Sequence, residues 1–338
     1  MTAVFGGFVP RENWRSAARV LLSIRHPLLL AVAFLSAWAV RDSIDWGLLS
    51  NGASGLFSAH PLAVYAKTSG LQAGPPSLVV MWVLNQLPGT AGLWIAHILL
   101  AFLGWYMLYL AERWTTPGAT WRAAPLRGGL LTLAVGVPVL LLWGSLAGET
   151  PHLEDGLAIF CGLLAIRAIS TGHEDRGAVL VGLAIAWKPW AVAALPLVMG
   201  CSRRRRALII AVAIPAACWL PFILGDHSTI SAVGQGFAVQ VNSPIKALGI
   251  SGKYIPTWWR SVELGGALAC AAIAARRDWR TAFAAGCAMR LLLDPAGYRY
   301  YFAGLLMITA LTERMIGARP WRTATIWLIA GYIYYLVP

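Results

Sequence analysis

The sequence predicts an all-α polytopic membrane protein, one integral membrane domain over residues 1–338 with about 11 transmembrane or half-spanning helices. Three observations predict it. Hydrophobic residues make up 58% of the chain and charged residues only 12%, with mean hydropathy +0.65; a soluble domain is about a quarter charged. The apolar residues fall in recurring segments, and the loops between those segments alternate in charge. The 17 Trp, 19 Pro and 34 Gly fit this class, since Trp collects at membrane interfaces and Gly and Pro are tolerated within spans. At roughly 20 residues per crossing the length allows about 9–12 crossings and no sizeable soluble domain. Disorder, coiled coil and a disulfide scaffold are excluded. The five cysteines are scattered without CxxC or metal-ligand spacing.

The first apolar run, Pro27–Val40, follows Arg11, Arg15, Arg19 and Arg25 and reads as an uncleaved anchor with a cytoplasmic N-terminus. Further segments fall at 91–111, 128–147, 156–170, 177–187, 189–200, 207–225, 258–275, 281–293, 299–312 and 321–337. Several are short, so some helices must tilt, break or enter only partway. Residues 177–200 could form one kinked span; Pro189 favours a split at Lys188, which also returns Arg203–Arg206 to the cytoplasm. Alternate threading then sorts the charges. Nineteen of the 27 basic residues, all Arg, lie inside, and all four Lys lie outside. The net charge of +13 is thus explained by the positive-inside rule, and nucleic acid is not an expected partner. Eight acids share the external loops with eight bases. Orientation alone does not require such a mixture, so chemistry is expected there.

The external stretch 41–89 is long for a connection. Asp42 and Asp45 sit three residues apart, on one face if the first helix continues. WGLLSNGASGLFS then reads as a short interfacial helix, and Pro75–Pro76 opens another. The next external loop, GETPHLEDG (148–156), holds three acids and His152. Glu154 and Asp155 are about 100° apart on a helix and should take different partners; helix capping is an equally good reading for them. Lys188, between Trp187 and Trp190, is costly in a membrane unless paired; it either holds a phosphate or snorkels to the interface. RLLLDPAGYRYYF (290–302) brings Arg290, Asp294, Arg299 and Tyr298 to the same side, where Arg can grip phosphate bidentately and most of the Tyr serve as interface belt. A loop at 226–256 is uncharged at its centre.

The order of Asp45, Gly52–Ala53, Pro61–Leu62–Ala63–Val64–Tyr65, Gly74–Pro75–Pro76–Ser77, Glu154–Asp155 and Gly182–Pro189 resembles the GT-C class of membrane glycosyltransferases, most closely actinobacterial mannosyl- and arabinofuranosyltransferases that use polyprenyl-phosphate sugars. The resemblance implies a plasma-membrane enzyme with an external active site. A sugar, mannose before arabinofuranose, would pass with inversion from a polyprenyl-phosphate donor to a hydroxyl of a glycolipid or polysaccharide acceptor. Asp45 would be the catalytic base and Asp42 the runner-up. Lys188, Arg299 and Arg290 would bind the donor phosphate, and Glu154, Asp155, His152 and Tyr298 would contact sugar or acceptor. No cofactor and no metal are expected; GxGxxG and P-loop motifs are absent. A transporter or flippase for lipid-linked sugars is the rival reading, although acids at the external face and the lack of an internal repeat speak against it.

Overall fold

The computed structural model describes residues 11–40, 45–149, 151–234, 238–239, 243–247, 249–250, 254–256, 258–296, 298–317 and 324–336. Among them the chain is helical without a named strand; the only pairing is an isolated bridge between Ala238 and Tyr254. In chain order the helices are α1 (Arg11–Ser23), α2 (Arg25–Ala39), α3 (Trp46–Leu56), α4 (Val64–Lys67), α5 (Pro75–Asn85), α6 (Ala91–Thr115), α7 (Leu126–Gly144), α8 (Leu153–Ser170), α9 (Glu174–Trp187), a 3₁₀ helix at Pro189–Gly200, α10 (Arg204–Gly225), α11 (Thr229–Gly234), α12 (Pro244–Ala247), α13 (Trp259–Ala275), α14 (Ala282–Leu293), α15 (Arg299–Ile316) and α16 (Ala324–Leu336). Each of the eleven apolar segments is a helix within a few residues of its expected ends. Among the described residues three helices are long and apolar enough to cross a membrane: Ala91–Thr115, Leu126–Glu149 and Arg204–Gly225. A fourth counts if α1 and α2, bent by 53°, form one span. The other apolar helices do not meet that length and composition on their own.

Small residues let these helices approach closely. A Cβ on Gly144 would lie 2.7 Å from the Ser36 backbone, and one on Gly148 would lie 2.2 Å from the Ala37 carbonyl oxygen. Polar side chains then fasten the contacts. Ser36 Oγ donates to Leu140 O at 2.9 Å, and Trp143 Nε1 donates to Leu100 O at 2.8 Å.

The loops sort to two ends of the bundle. At one end Arg25 pairs with Glu112, Arg167 lies over the Trp114 ring, and Arg314 donates to Thr115 and Thr116. At the other, Asp45, His152, Lys188, Arg290 and Tyr300 converge.

The Arg25 end is locked by buried charge. Arg25 Nε lies 3.1 Å from Glu112 Oε2, and its other nitrogens donate to Leu22 O at 2.7 Å and Thr120 O at 2.5 Å. His26 Nε2 lies 2.8 Å from the same carboxylate, with the His26 ring stacked on Trp121. Removing one partner of a buried pair strands the other, at a cost of about 3–5 kcal/mol. Arg25→Met should therefore lower the unfolding temperature of the purified protein sharply, and adding Glu112→Gln should restore part of the loss. Thermal unfolding in detergent reads both; equal destabilisation by the single and double variants would contradict the lock.

Candidate functional site

The site at the other end starts from a helix break. Lys188 precedes Pro189, whose ring disfavours helical geometry in the residue before it; Lys188 is extended, with φ −148° and ψ 122°. The break ends α9, and the Pro189–Gly200 helix packs back against it. It also leaves the Trp187 carbonyl without its helical partner. The long loop supplies one: Gly74 N–H and Ser77 Oγ both donate to Trp187 O, at 2.8 and 3.0 Å. Only glycine fits at 74, because a Cβ there would lie 1.7 Å from the Ala186 carbonyl oxygen. Pro75 then begins α5, where its missing N–H costs nothing. Gly74–Pro75–Pro76–Ser77 thus clamps the loop onto the backbone that carries Lys188.

The break turns the Lys188 side chain into the protein, where it is buried. Its ammonium lies 2.8 Å from Glu154 Oε1 and 3.3 Å from Asp155 Oδ2. Both acids sit in the first turn of α8. They share Lys188 and divide their other partners: Glu154 Oε1 meets His152 Nδ1 at 2.8 Å, while Asp155 Oδ1 accepts from Trp190 Nε1 at 2.5 Å. His152, Glu154 and Asp155 bring metal-type ligand atoms within 4.8 Å of one another, but the cation held between the two carboxylates is the Lys188 ammonium.

His152 passes the arrangement outward. Its Nε2 lies 3.1 Å from Asp45 Oδ2, and its ring stacks on Tyr300 with centroids 4.8 Å apart. Asp45 occupies the N-cap position of α3 yet makes no side-chain capping bond; its carboxylate turns to His152 instead. Of the five charged groups in this chain of contacts, Asp45 is the exposed end, with 32% of its side chain accessible against 9% for His152 and none for Glu154. It faces a cavity of about 100 Å³ lined also by Gln72, Lys188, Tyr298 and Tyr300.

Beyond Lys188 lies a larger cavity of about 470 Å³, lined by Gln72, Lys188, Trp190, Arg260, Glu263 and Arg290 among others. Arg290, buried, donates to Glu263 Oε1 at 3.0 Å and to Asp294 Oδ2 at 2.8 Å, with its guanidinium 4.4 Å from the Tyr301 ring centroid. Arg260 pairs with Glu263 and lies 3.8 Å from Asp294. Lys188 and Gln72 line both cavities.

Of the residues singled out from the sequence, Asp45, His152, Glu154, Asp155 and Lys188 form one connected cluster. Arg290 stands in the neighbouring one, and Tyr298 is exposed at the mouth of the Asp45 cavity. Arg299 is exposed and lines neither cavity. Asp42 lies outside the described residues. Sequence reasoning passed over Gln72, Arg260 and Glu263 as site residues; the opposite charges of Arg260 and Glu263 at i,i+3 beside Trp258–Trp259 were the available signal. Tyr300 and Tyr301, read as belt residues, pack on His152 and Arg290.

Comparison with protein-family models, curated proteins and solved structures finds no match.

The electrostatics follow from the contacts. The hydrogen bond from His152 holds the Asp45 carboxyl below its usual range, against the opposing effect of burial. Burial on its own would lower the His152 pKa; the Glu154 carboxylate opposes it and, with Asp45, pushes the imidazole up to about 9 from its ordinary 6.5. A raised histidine pKa stabilises the fold fully below the unfolded value and loses that contribution as pH rises through the folded one. The unfolding temperature of the wild type should therefore decline between about pH 6.5 and 9, and His152→Asn should flatten that segment of the profile. Parallel profiles for the two proteins would show that His152 is not a charged link.

Proposed function

We propose that the protein is a membrane glycosyltransferase that moves a sugar, mannose by preference, from a polyprenyl-phosphate donor to a hydroxyl of a glycolipid or glycan on the external membrane face. The observation that carries this reading is the Asp45 carboxylate: exposed to a cavity and held by His152, which is itself backed by buried Glu154 and Lys188. A carboxylate kept ionised at a cavity wall suits a general base, and a helix cap that forgoes its own capping bond has a structural role to spare.

In this mechanism the acceptor hydroxyl enters the Asp45 cavity and Asp45 takes its proton. The acceptor oxygen forms a bond to the anomeric carbon, the carbon–phosphate oxygen bond breaks, and its electron pair leaves on the phosphate. One displacement inverts the anomeric configuration. His152 fixes the orientation of Asp45 and keeps it ionised. Glu154, whose side chain has no accessible surface, acts through His152 and Lys188 and not on the sugar directly. The leaving phosphate is served from the cationic side, where Lys188 separates the two cavities. The ester activates the sugar, so the chemistry needs no nucleotide domain.

Asp45→Asn keeps the shape and removes the base, so transfer should fall by about two orders of magnitude or more while folding persists. The assay is radiolabel transfer by purified protein in membrane extract, with polyprenyl-phosphate mannose and polyprenyl-phosphate arabinofuranose supplied separately. Transfer from neither donor, or normal transfer by Asp45→Asn, would overturn the proposal.

A further inference from the structure

Pro27 bends the first two helices. It has no N–H for the Ser23 carbonyl and its ring crowds that oxygen, and the chain turns by 53° between α1 and α2. Arg25 fixes the bend. Its Nη1 donates to Leu22 O at 2.7 Å, at the end of α1; its Nη2 donates to Thr120 O and Ala123 O, between α6 and α7; and its Nε pairs with Glu112.

These contacts set the depth of α1. Glu112 stands three residues before the end of α6, and Gly129, which packs against Leu22, stands three residues into α7. At about 1.5 Å of rise per residue, each lies only about 5 Å from its helix end. Both helices are long and apolar enough to cross a membrane, so the bend sits where two candidate spans end. The 13 residues of α1 begin there, with no bilayer depth left to cross.

The surface of α1 is divided. Ala18 and Leu22 face the bundle and are buried. Val20, Ile24 and Leu28, spaced four apart, form a row that continues across the bend, and they are 60%, 47% and 39% exposed. Arg19 is exposed on the flank of this row, about 100° around the helix from Val20. Arg11 and Arg15 precede it at the same four-residue interval, and Glu12 is the one acid in the helix. An apolar row flanked by cations matches the boundary between acyl chains and anionic headgroups. A soluble acidic protein would meet the cations and leave the apolar row uncovered; a neutral headgroup layer would leave the cations unmatched.

We propose that α1 does not cross the membrane with α2 but lies in its interface, bound to anionic phospholipid, with Val20 and Ile24 among the acyl chains and Arg19 at the phosphates. Arg25 joins this seated helix to α6 and to the α6–α7 connection, so the lipid contact fixes the depth of the bundle. The seat lies at the end opposite the Asp45 cavity and holds whatever reaction takes place there.

The test places a fluorophore on Val20→Cys in the full chain, with the half-buried Cys218 and Cys270 replaced by Ser. The protein is held in nanodiscs of phosphatidylcholine alone or mixed equally with phosphatidylglycerol, with nitroxide-labelled lipid whose spin label sits near the headgroup or at the chain end. In the mixed bilayer the shallow nitroxide should quench the fluorophore several-fold more than the deep one. Arg19→Glu should bring that quenching down toward its value in phosphatidylcholine alone, and raised salt should do the same with Arg19 in place. The salt arm keeps the test decisive should Arg19→Glu fail to fold. Stronger quenching by the deep nitroxide would make α1 and α2 one span, and quenching by neither would put α1 in water. Equal shallow quenching with and without phosphatidylglycerol would remove the charge from the account. Any of these three results overturns the assignment.

Discussion

The buried ammonium of Lys188 between Glu154 and Asp155 is the interaction on which the rest of this end of the protein depends. Two adjacent carboxylates in a buried helix turn repel each other, and desolvation of each is costly. One cation within 2.8 and 3.3 Å of them makes the arrangement tolerable. With Glu154 so held, its remaining attraction orients His152, and His152 in turn orients Asp45. The cluster still carries more acid than base, which keeps the imidazole protonated and directs the outermost carboxylate toward the cavity.

Backbone geometry makes that placement possible. The Lys188–Pro189 break frees the Trp187 carbonyl, and the loop fills the vacancy through Gly74 and Ser77. One junction therefore ends a helix, aims a lysine inward and anchors the long loop through α5, against which the Asp45 helix packs. Such a junction explains in physical terms why a Gly, two Pro and a Ser stand together at 74–77.

Much of this was legible in the sequence, for reasons that differ by element. The eleven helices were readable because apolar runs bounded by charge leave few alternatives. Lys188, Glu154 and Asp155 stood out because ionisable groups in apolar surroundings need partners. Their mutual pairing was not readable: both the phosphate and the interface readings of Lys188 assumed a cation turned outward, and only the packing of α8 against the Pro189–Gly200 helix brings the carboxylates to it. Arg299 attracted attention by its neighbours in sequence, yet the first turn of α15 points it away from both cavities. Arg260 and Glu263 escaped because their meaning comes from Arg290 and Asp294, about thirty residues on.

The proposed function requires that Asp45 and His152 act in transfer as one unit backed by Glu154 and Lys188. A double-mutant cycle on the transfer rate tests it most directly. If the unit is real, Asp45→Asn with His152→Asn should be about as slow as Asp45→Asn alone, since His152 acts only through the carboxylate already lost. A double variant whose loss equals the product of the two single losses would show that the two side chains act independently.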